Sequence, residues 1–417
     1  MIYLTVKMGK RINILVVPSD TFGVGLYRSL SPHHYLQTDY ESLFNVQLNY
    51  APVWENLEYF KDFDIIHIHK GIYPNMEAFW KFLDWCKENK ITTIMDIDDN
   101  WDVGPQHPMY SSVKLNKIPE KIIENLRRFD YVTTTTEIFA DKIRKYNKNV
   151  FVYPNAVNPD EDQYKPIKNP TKRIRFGFVM GSAHEKDMEQ FKGVVNALPK
   201  DILDKIQIVL CGYDIRGTIS TVDEHGNVVG QRQIKPEESV WKRYEEIVTD
   251  NYNICSPMYK EFLQKYICNA QWPLVENEPY RREWTKDVKE FATHYRNIDV
   301  LFAPLAENNF NLVKSELKFI EGGFTRTAVI ATKFGPYTIG SKSLFKYGGE
   351  IDPEGNCILI DPEKKHKAWG QAIKKIVQHP EYIGIMTENM YNTVKDKYNI
   401  HNVTAIRAEW YKSIVKK

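Results

Sequence analysis

Pro154-Asn155-Ala156-Val157-Asn158-Pro159-Asp160-Glu161-Asp162, continuing through Pro166 and Pro170 into Arg173-Ile174-Arg175-Phe176-Gly177-Phe178-Val179-Met180, is the stretch on which the fold turns. Its first part has repeated helix stoppers and no apolar period, so it reads as an interdomain linker. Its second part is a short apolar run that opens a new strand. A chain that ends one series of strands at a proline-rich break and starts another beyond it is built of two domains rather than one large sheet.

Upstream of the break, β-branched runs alternate with longer amphipathic stretches, the pattern of a parallel α/β sheet. The strand candidates are Ile12 to Val17, Asp64 to His69, Ile91 to Asp96, Tyr131 to Thr134 and Asn149 to Tyr153. Helices are predicted from near Leu26 and over 74–88, 118–128 and 136–146. Downstream the strands are Arg173 to Met180, Ile206 to Cys211, Gln271 to Val275, Ile298 to Ala303 and Ala328 to Thr332. The segment about 216–236, centred on Asp223-Glu224-His225-Gly226-Asn227, is expected to be a hairpin inserted in the second domain. From Lys364 to Val415 the spacing predicts three helices, the last ending at Trp410 and Tyr411.

The 417 residues fit two or three domains at roughly 150 residues each. Lys and Arg number 56 against 54 Asp and Glu, a formal charge of +2 that argues against extensive nucleic-acid or anionic-membrane contact while leaving open a local basic patch and peripheral membrane contact. Mean hydropathy is −0.48, and no stretch approaches the ~18 uninterrupted apolar residues of a membrane span. The N-terminal stretch Met1 to Arg11 is charged too early for a secretory signal. Five scattered cysteines form no CxxC pair, so reduced thiols, a cytoplasmic setting and no zinc or disulfide framework are expected.

In open parallel sheets ligands bind beyond the carboxyl ends of the strands, so the loops after strands carry the chemistry. The loop from Pro18 to Arg28 contains Gly23 and Gly25. Glycines admit a close backbone approach, and Arg28 adds charged donors. The same turn also serves as a plain β–α connection. It is no dinucleotide fingerprint, because the third glycine of GxGxxG is replaced by Arg28. Asp96-Ile97-Asp98-Asp99-Asn100-Trp101-Asp102 gathers four carboxylates at a strand end. They suit a divalent cation, a proton acceptor, sugar hydroxyls or a solvated turn. Trp101 favours a sugar, on whose face an exposed indole stacks. A DxD here also evokes phosphatases of the haloacid dehalogenase type, but Asn100 stands where they want Thr or Val.

Met180-Gly181-Ser182-Ala183-His184-Glu185-Lys186-Asp187 opens the first helix of the second domain, with His184 and Lys186 placed for an anion. Asn308-Asn309-Phe310-Asn311-Leu312-Val313-Lys314-Ser315-Glu316-Leu317-Lys318-Phe319-Ile320-Glu321-Gly322-Gly323 follows a strand. With a helix starting near Val313, Lys314 and Ser315 fall in the first turn, where they would meet a diphosphate. Glu321 lies two turns along the same face, within reach of a ribose diol. Surface charge around Leu317 and Ile320 is the alternative reading, though it leaves the Asn-rich lead-in and the Gly-Gly pair unexplained.

These loops, taken in order with the Tyr153-Pro154-Asn155-Ala156-Val157 linker and the C-terminal Trp369, Asn389, Tyr398 and Arg407-Ala408-Glu409-Trp410-Tyr411, resemble glycosyltransferases of the GT-B fold. The nearest type is the retaining group 1, glycosyltransferase family 4, matched over nearly the whole chain. The resemblance implies an α/β architecture of two Rossmann-like doubly wound domains facing a central cleft, with C-terminal helices crossing back to the N-terminal domain. Its domains would be 1–157 for the acceptor, a linker at 158–172, 173–395 for the donor and 396–417 for the returning helix. It implies transfer of a sugar from a UDP- or GDP-sugar to a glycan, lipid-linked glycan or other acceptor, with retention and without a required metal or other cofactor.

By the same resemblance Glu321 matches the second glutamate of an E-x7-E motif on the ribose, and Lys186 a diphosphate-binding lysine. Asp98 stands where many relatives have a histidine at the reacting sugar, to orient that sugar or accept the acceptor's proton. Catalysis is thereby expected from Asp98, Lys186 and Lys314. Donor contacts are expected from Gly23, Gly25, Gly181, Ser182, His184, Lys186, Asn309, Asn311, Lys314, Ser315 and Glu321, and acceptor contacts from Arg28, Asp99 and Trp101. The chain departs from the pattern at Val313, where the first glutamate belongs, at Gly181, where an arginine belongs, and at Arg326-Thr327-Ala328, where Gly-x-Pro is usual. Those departures keep open an altered donor, a nucleobase or protein acceptor, and a degenerate binding or scaffold protein. Epimerase and phosphorylase activities compete on the same architecture.

Overall fold

The computed structural model describes residues 10–21, 23–105, 107, 109–214, 216–222, 228–235, 238–249, 280–346 and 349–416. The chain divides into two compact units, Met1–Pro159 with Asn308–Ile320 and Lys395–Lys417, and Asp160–Glu307 with Glu321–Val394. The segment 308–320 thus groups with the first unit although the sequence reading puts it in the second domain. The division passes through the helix Leu317–Phe324.

The first unit is built on six parallel strands, β1 (Ile12–Val17), β2 (Phe44–Leu48), β3 (Ile65–His69), β4 (Thr92–Asp96), β5 (Tyr131–Thr134) and β6 (Val150–Val152), in the order β2-β1-β3-β4-β5-β6. The order reverses between β1 and β3, which makes their carboxyl ends the switch point. One face packs Leu15, Val17, Ile66 and Ile68 on the helix Met76–Glu88 through Phe79, Phe82 and Cys86. The opposite face packs Ile14, Val16 and Ile65 against Val403, Ala408 and Tyr411 of the last helix, Ile400–Ile414. That helix therefore belongs to the first unit's core.

The second unit contains β7 (Ile174–Val179), β8 (Ile206–Tyr213), the antiparallel hairpin β9 (Thr218–Val222) and β10 (Val228–Gln233), β11 (Tyr280–Trp284), β12 (Val300–Ala303), β13 (Ala328–Thr332) and β14 (Ile358–Ile360). Its six-stranded parallel sheet runs β11-β8-β7-β12-β13-β14, the doubly wound dinucleotide-fold order with its reversal between β7 and β12. Phe178, Phe191, Phe302 and Trp369 fill its core. Gly322 and Gly323 are there for packing, since a Cβ at either would come within 2.8 Å of Val329 or 2.4 Å of Val394.

Most strands stand where the residues predict them. β2, β11 and β14 escape prediction because Phe-Asn-Val-Gln-Leu is a mostly solvated edge, Tyr-Arg-Arg-Glu-Trp is a run of charges between aromatic ends, and β14 is three residues long. The expected strand Gln271 to Val275, the hairpin tip 223–227 and two of the cysteines, Cys255 and Cys268, lie outside the described residues. Among the described residues no helix is long and apolar enough to cross a membrane.

Candidate functional site

In the first unit the switch point collects ionisable groups. β3 ends in His67-Ile68-His69, and alternation puts both histidines on the face that β4 presents through Asp96. Lys70 and Gly71 then adopt left-handed φ of 63° and 66°, a turn that is strained for the lysine. From the loop after β1, Ser19 Oγ lies 2.7 Å from His69 Nδ1 and 2.7 Å from Asp20 Oδ2. On its other side His69 Nε2 lies 3.1 Å from Asp98 Oδ1. Lys70 Nζ is 3.4 Å from Asp98 and 3.6 Å from Asp99.

The two neighbouring carboxylates are driven apart. Burial alone would raise Asp98, but Lys70 and then the His69 hydrogen bond and charge hold it below the usual carboxylate range. Asp99 is raised by partial burial and by Asp98's charge, against Lys70 and Lys314. Asp98 is therefore the permanently ionised member and Asp99 the one more ready to bind a proton.

The glycine loop is tied to the same cluster. Asp20 Oδ1 accepts the Gly25 N–H at 2.9 Å, and a Cβ on Gly25 would lie 2.0 Å from Asp20 O, so only glycine fits there. Gly23 has a left-handed φ of 42°. The helical run after it contains a π-turn, with the Ser31 N–H donating to Leu26 O. Pro32 has no N–H to offer in the normal register, which accounts for the wider turn.

Two residues expected to touch an acceptor turn inward instead. Arg28 is 1 % exposed and spends its donors on Asp96 (2.9 and 2.7 Å), Tyr153 O (2.6 Å) and Asn155 Oδ1 (3.2 Å). One helical turn into a run packed on the sheet, it meets a buried strand-end carboxylate before it can meet solvent. Trp101 is buried against Phe139 and Tyr146 with Lys142 Nζ 4.8 Å above its ring, so the exposed indole anticipated for a sugar face is a core side chain.

The 308–316 segment differs from expectation as well. A short turn of helix, Asn309–Leu312, is capped by Asn308, and the next helix begins only at Leu317. Lys314 and Ser315 therefore precede that helix, and Glu321 does not share a continuous helical face with Lys314. Within the first unit the exposed Asn309 accepts Asn100 Nδ2 through its carbonyl at 2.8 Å, while Asn311 is buried. Lys314 lies 5.2 Å from the Phe310 ring and acts on Asp99. Ser315 Oγ accepts Asn155 Nδ2 at 3.0 Å. Val313, in place of the motif glutamate, is packed in the core. Glu316, weighed as surface charge, is 3 % exposed and accepts Tyr398 OH at 2.6 Å.

In the second unit the switch point is of another kind. Gly181, Ser182 and Lys186 are exposed, and His184 is half-buried. Tyr244 OH donates to Ser182 O at 2.8 Å and accepts the His184 N–H at 3.0 Å, which fixes the loop backbone. Asp187 pairs with His184 Nδ1 at 2.7 Å and accepts the Ala306 N–H at 2.7 Å, joining the loops after β7 and β12. Glu321 is 1 % exposed and accepts Tyr295 OH at 2.6 Å. Burial raises the Tyr337 phenol, and the charges of Asp187 and Glu321 both add to that rise.

Ser19, His69, Lys70, Tyr244 and Tyr295 escaped the sequence reading. For His69 and Lys70 a signal existed, a histidine–lysine pair at the carboxyl end of a strand. The tyrosines reach in from distant segments and carry no local mark. Among the described residues one metal-ligand set, Cys211, Glu283 and His294, brings its atoms within 4.8 Å of one another. Its carboxylate already takes His294 Nδ1 (2.8 Å), Asn297 Nδ2 (2.6 Å) and Arg281 (2.9 Å). Arg281 balances the charge, so the geometry is that of a structural ion pair.

No family model matches the chain, and no curated protein matches it in sequence. Solved structures do match along its length. HepE from Anabaena, in complex with UDP, aligns with a TM-score of 0.61 at 11 % identity, over 97 % of this chain and 100 % of that one. Sucrose-phosphate synthase from Thermosynechococcus elongatus gives 0.59 at 13 % identity, over 97 % and 99 %. A glycosyltransferase from Rickettsia africae gives 0.54 at 11 % identity, over 98 % and 100 %. At such identities the likeness is one of fold, and that fold is the GT-B fold with its two Rossmann-like domains.

Proposed function

We propose that the protein is a glycosyltransferase that moves a sugar from a nucleoside diphosphate donor to a hydroxyl acceptor, with retention and without an obligatory metal. The second unit binds the donor and the first binds the acceptor. The observation that carries this reading is the second unit's sheet, wound in dinucleotide-fold order, with an exposed Gly-Ser turn and Lys186 after β7, and with Asp187 of that loop and the Tyr295-held Glu321 both acting on Tyr337. The carboxyl end of such a sheet suits a nucleotide, with the diphosphate at the loop backbone and Lys186 and the ribose diol at Glu321. Gly181, Ser182 and His184 complete the donor set, and Lys186 stabilises charge on the departing diphosphate.

The solved complexes of HepE with UDP, with UDP-glucose and with UDP and glucose make UDP-sugars the first donors to try. On the acceptor side Asp98, kept ionised beside Lys70, orients hydroxyl-bearing partners rather than taking their protons. The test is calorimetric titration with UDP and GDP, followed by a screen of their sugar conjugates for thermal stabilisation and turnover. Saturable binding of one nucleotide and release of that nucleotide from its sugar support the reading. Absence of binding to both would leave a binding or scaffold protein on this fold.

A further inference from the structure

Three contacts run in a line through the first unit's switch point: Asp20 Oδ2 to Ser19 Oγ at 2.7 Å, Ser19 Oγ to His69 Nδ1 at 2.7 Å, and His69 Nε2 to Asp98 Oδ1 at 3.1 Å. Each needs one proton. With a neutral imidazole only two are present, the Ser19 hydroxyl proton and one ring N–H. Asp98, ionised beside Lys70, draws the ring proton to Nε2. The Ser19 hydroxyl then faces two acceptors, Nδ1 and Asp20, and can serve only one. One added proton, on the imidazole, satisfies all three contacts at once. The line is thus built to take up a proton. Its middle member is buried and its Ser19 end is exposed.

We infer that Ser19, His69 and Asp98 form the relay that removes the proton from the acceptor hydroxyl, with Ser19 Oγ touching the acceptor, His69 receiving the proton and Asp98 positioning His69. The inference rests on the glycosyl-transfer reading. In the step, the acceptor O–H bond breaks and its proton passes to Ser19 Oγ, while Ser19's own proton passes to His69 Nδ1. The acceptor oxygen's electron pair forms the new bond to the anomeric carbon on the same face as the departing diphosphate, as retention requires. The bond from that carbon to the diphosphate oxygen breaks, and its pair leaves with the nucleoside diphosphate. The imidazolium donates to Ser19 Oγ and to Asp98, Ser19 donates to Asp20, and the proton returns to solvent before the next turnover. The charged or titratable groups around His69 are Asp20 from the loop after β1, Arg28 from the helix behind it, His67 on its own strand and Lys70 in the turn that follows, and Asp96, Asp98 and Asp99 from β4 and its loop.

The test uses the full chain with the donor found by the nucleotide screen, and reads the pH dependence of kcat/KM for transfer alongside nucleotide affinity. The wild type is expected to show an acid limb in kcat/KM, because a proton already on the relay blocks the transfer. His69→Gln should abolish that acid limb and lower kcat by about 10²- to 10⁴-fold with nucleotide affinity kept. Because His69 is buried, the exposed Ser19→Ala provides a variant safe for folding. It should lower kcat and weaken the limb, and Ser19→Thr, which keeps the hydroxyl, should restore both. Asp99→Asn should retain the limb. An unchanged limb in His69→Gln or Ser19→Ala, or its loss in Asp99→Asn, overturns the relay while leaving glycosyl transfer standing. A wild type that binds no nucleotide and transfers no sugar overturns both.

Discussion

The two switch points have the same topology and different chemistry. In the first unit the loops after β1 and β3 are joined by Ser19 and His69, side chain to side chain, with Asp20, Lys70, Asp98 and Asp99 around them. In the second unit the loops after β7 and β12 are joined by Asp187 and the Ala306 backbone, and a tyrosine hydroxyl holds the exposed turn. The first arrangement can move a proton. The second fixes the backbone of an exposed turn. A Rossmann-like sheet supplies a place for function, and the residues placed there decide which function it is.

The largest expected effects break that comparison on the stability side. If Arg28 and Trp101 belong to the first unit's core, Arg28→Ala leaves Asp96 buried and uncompensated, at a cost of about 3–5 kcal/mol. Trp101→Ala should cost about 3–5 kcal/mol through the cavity it leaves. Denaturant unfolding measures both, and a variant of full stability with weakened acceptor binding would return either residue to the acceptor site. Next in size is Glu321→Ala in the second unit. If Glu321 holds the ribose as proposed, its loss is worth about 1.5–3 kcal/mol, roughly 10- to 100-fold in Kd. Nucleotide titration of the variant at wild-type affinity would remove Glu321 from the site.

Acid should separate the units as well. His33 is pulled down to about 3 by burial and by Arg407's charge, and His67 falls well below 6.5 through burial. In the unfolded chain both regain the ordinary 6.5, so below that pH the unfolded state binds more protons. Stability contributed by the neutral rings is whole above 6.5 and is lost as pH falls from there toward 3 for His33, with a slope of at most about 1.4 kcal/mol per pH unit for each histidine. Hydrogen exchange should show the first unit's β1, β3 and last helix losing protection before β7 and β12. The reverse order would mean that the buried rings do not govern acid stability.

The parallel sheets were legible because buried strands read as apolar runs, visible in Ile-Asn-Ile-Leu-Val-Val and Ala-Val-Ile-Ala-Thr. The proline-rich break between the two series was equally plain. What the sequence hid is direction. Arg28 and Trp101 have the composition of surface binders, and only the packing of distant strands shows that each points into the core. The helix expected from Val313 failed for a local reason. Asn308 caps a short turn, and Val313 turns into the first unit's core, so periodicity resumes four residues later than the apolar pattern implied. Ser19 and His69 are 50 residues apart, and nothing in either segment names the other.

The smallest expected effect is the most discriminating for the second unit. Tyr295 OH donates to Glu321 Oε2 at 2.6 Å, and burial together with that carboxylate's charge pushes the phenol well above its ordinary range, so it remains a donor at any physiological pH. Tyr295→Phe keeps the ring in place and removes only the hydroxyl, a loss of about 1 kcal/mol or roughly fivefold in nucleotide affinity. If Tyr295 acts only by aiming Glu321, the loss must vanish once Glu321 is gone. The double variant Tyr295→Phe with Glu321→Ala should then bind nucleotide as weakly as Glu321→Ala alone. Additive losses in that cycle would show that Tyr295 affects the nucleotide by a route of its own, and the second switch point would owe its affinity to more than a backbone turn and one held carboxylate.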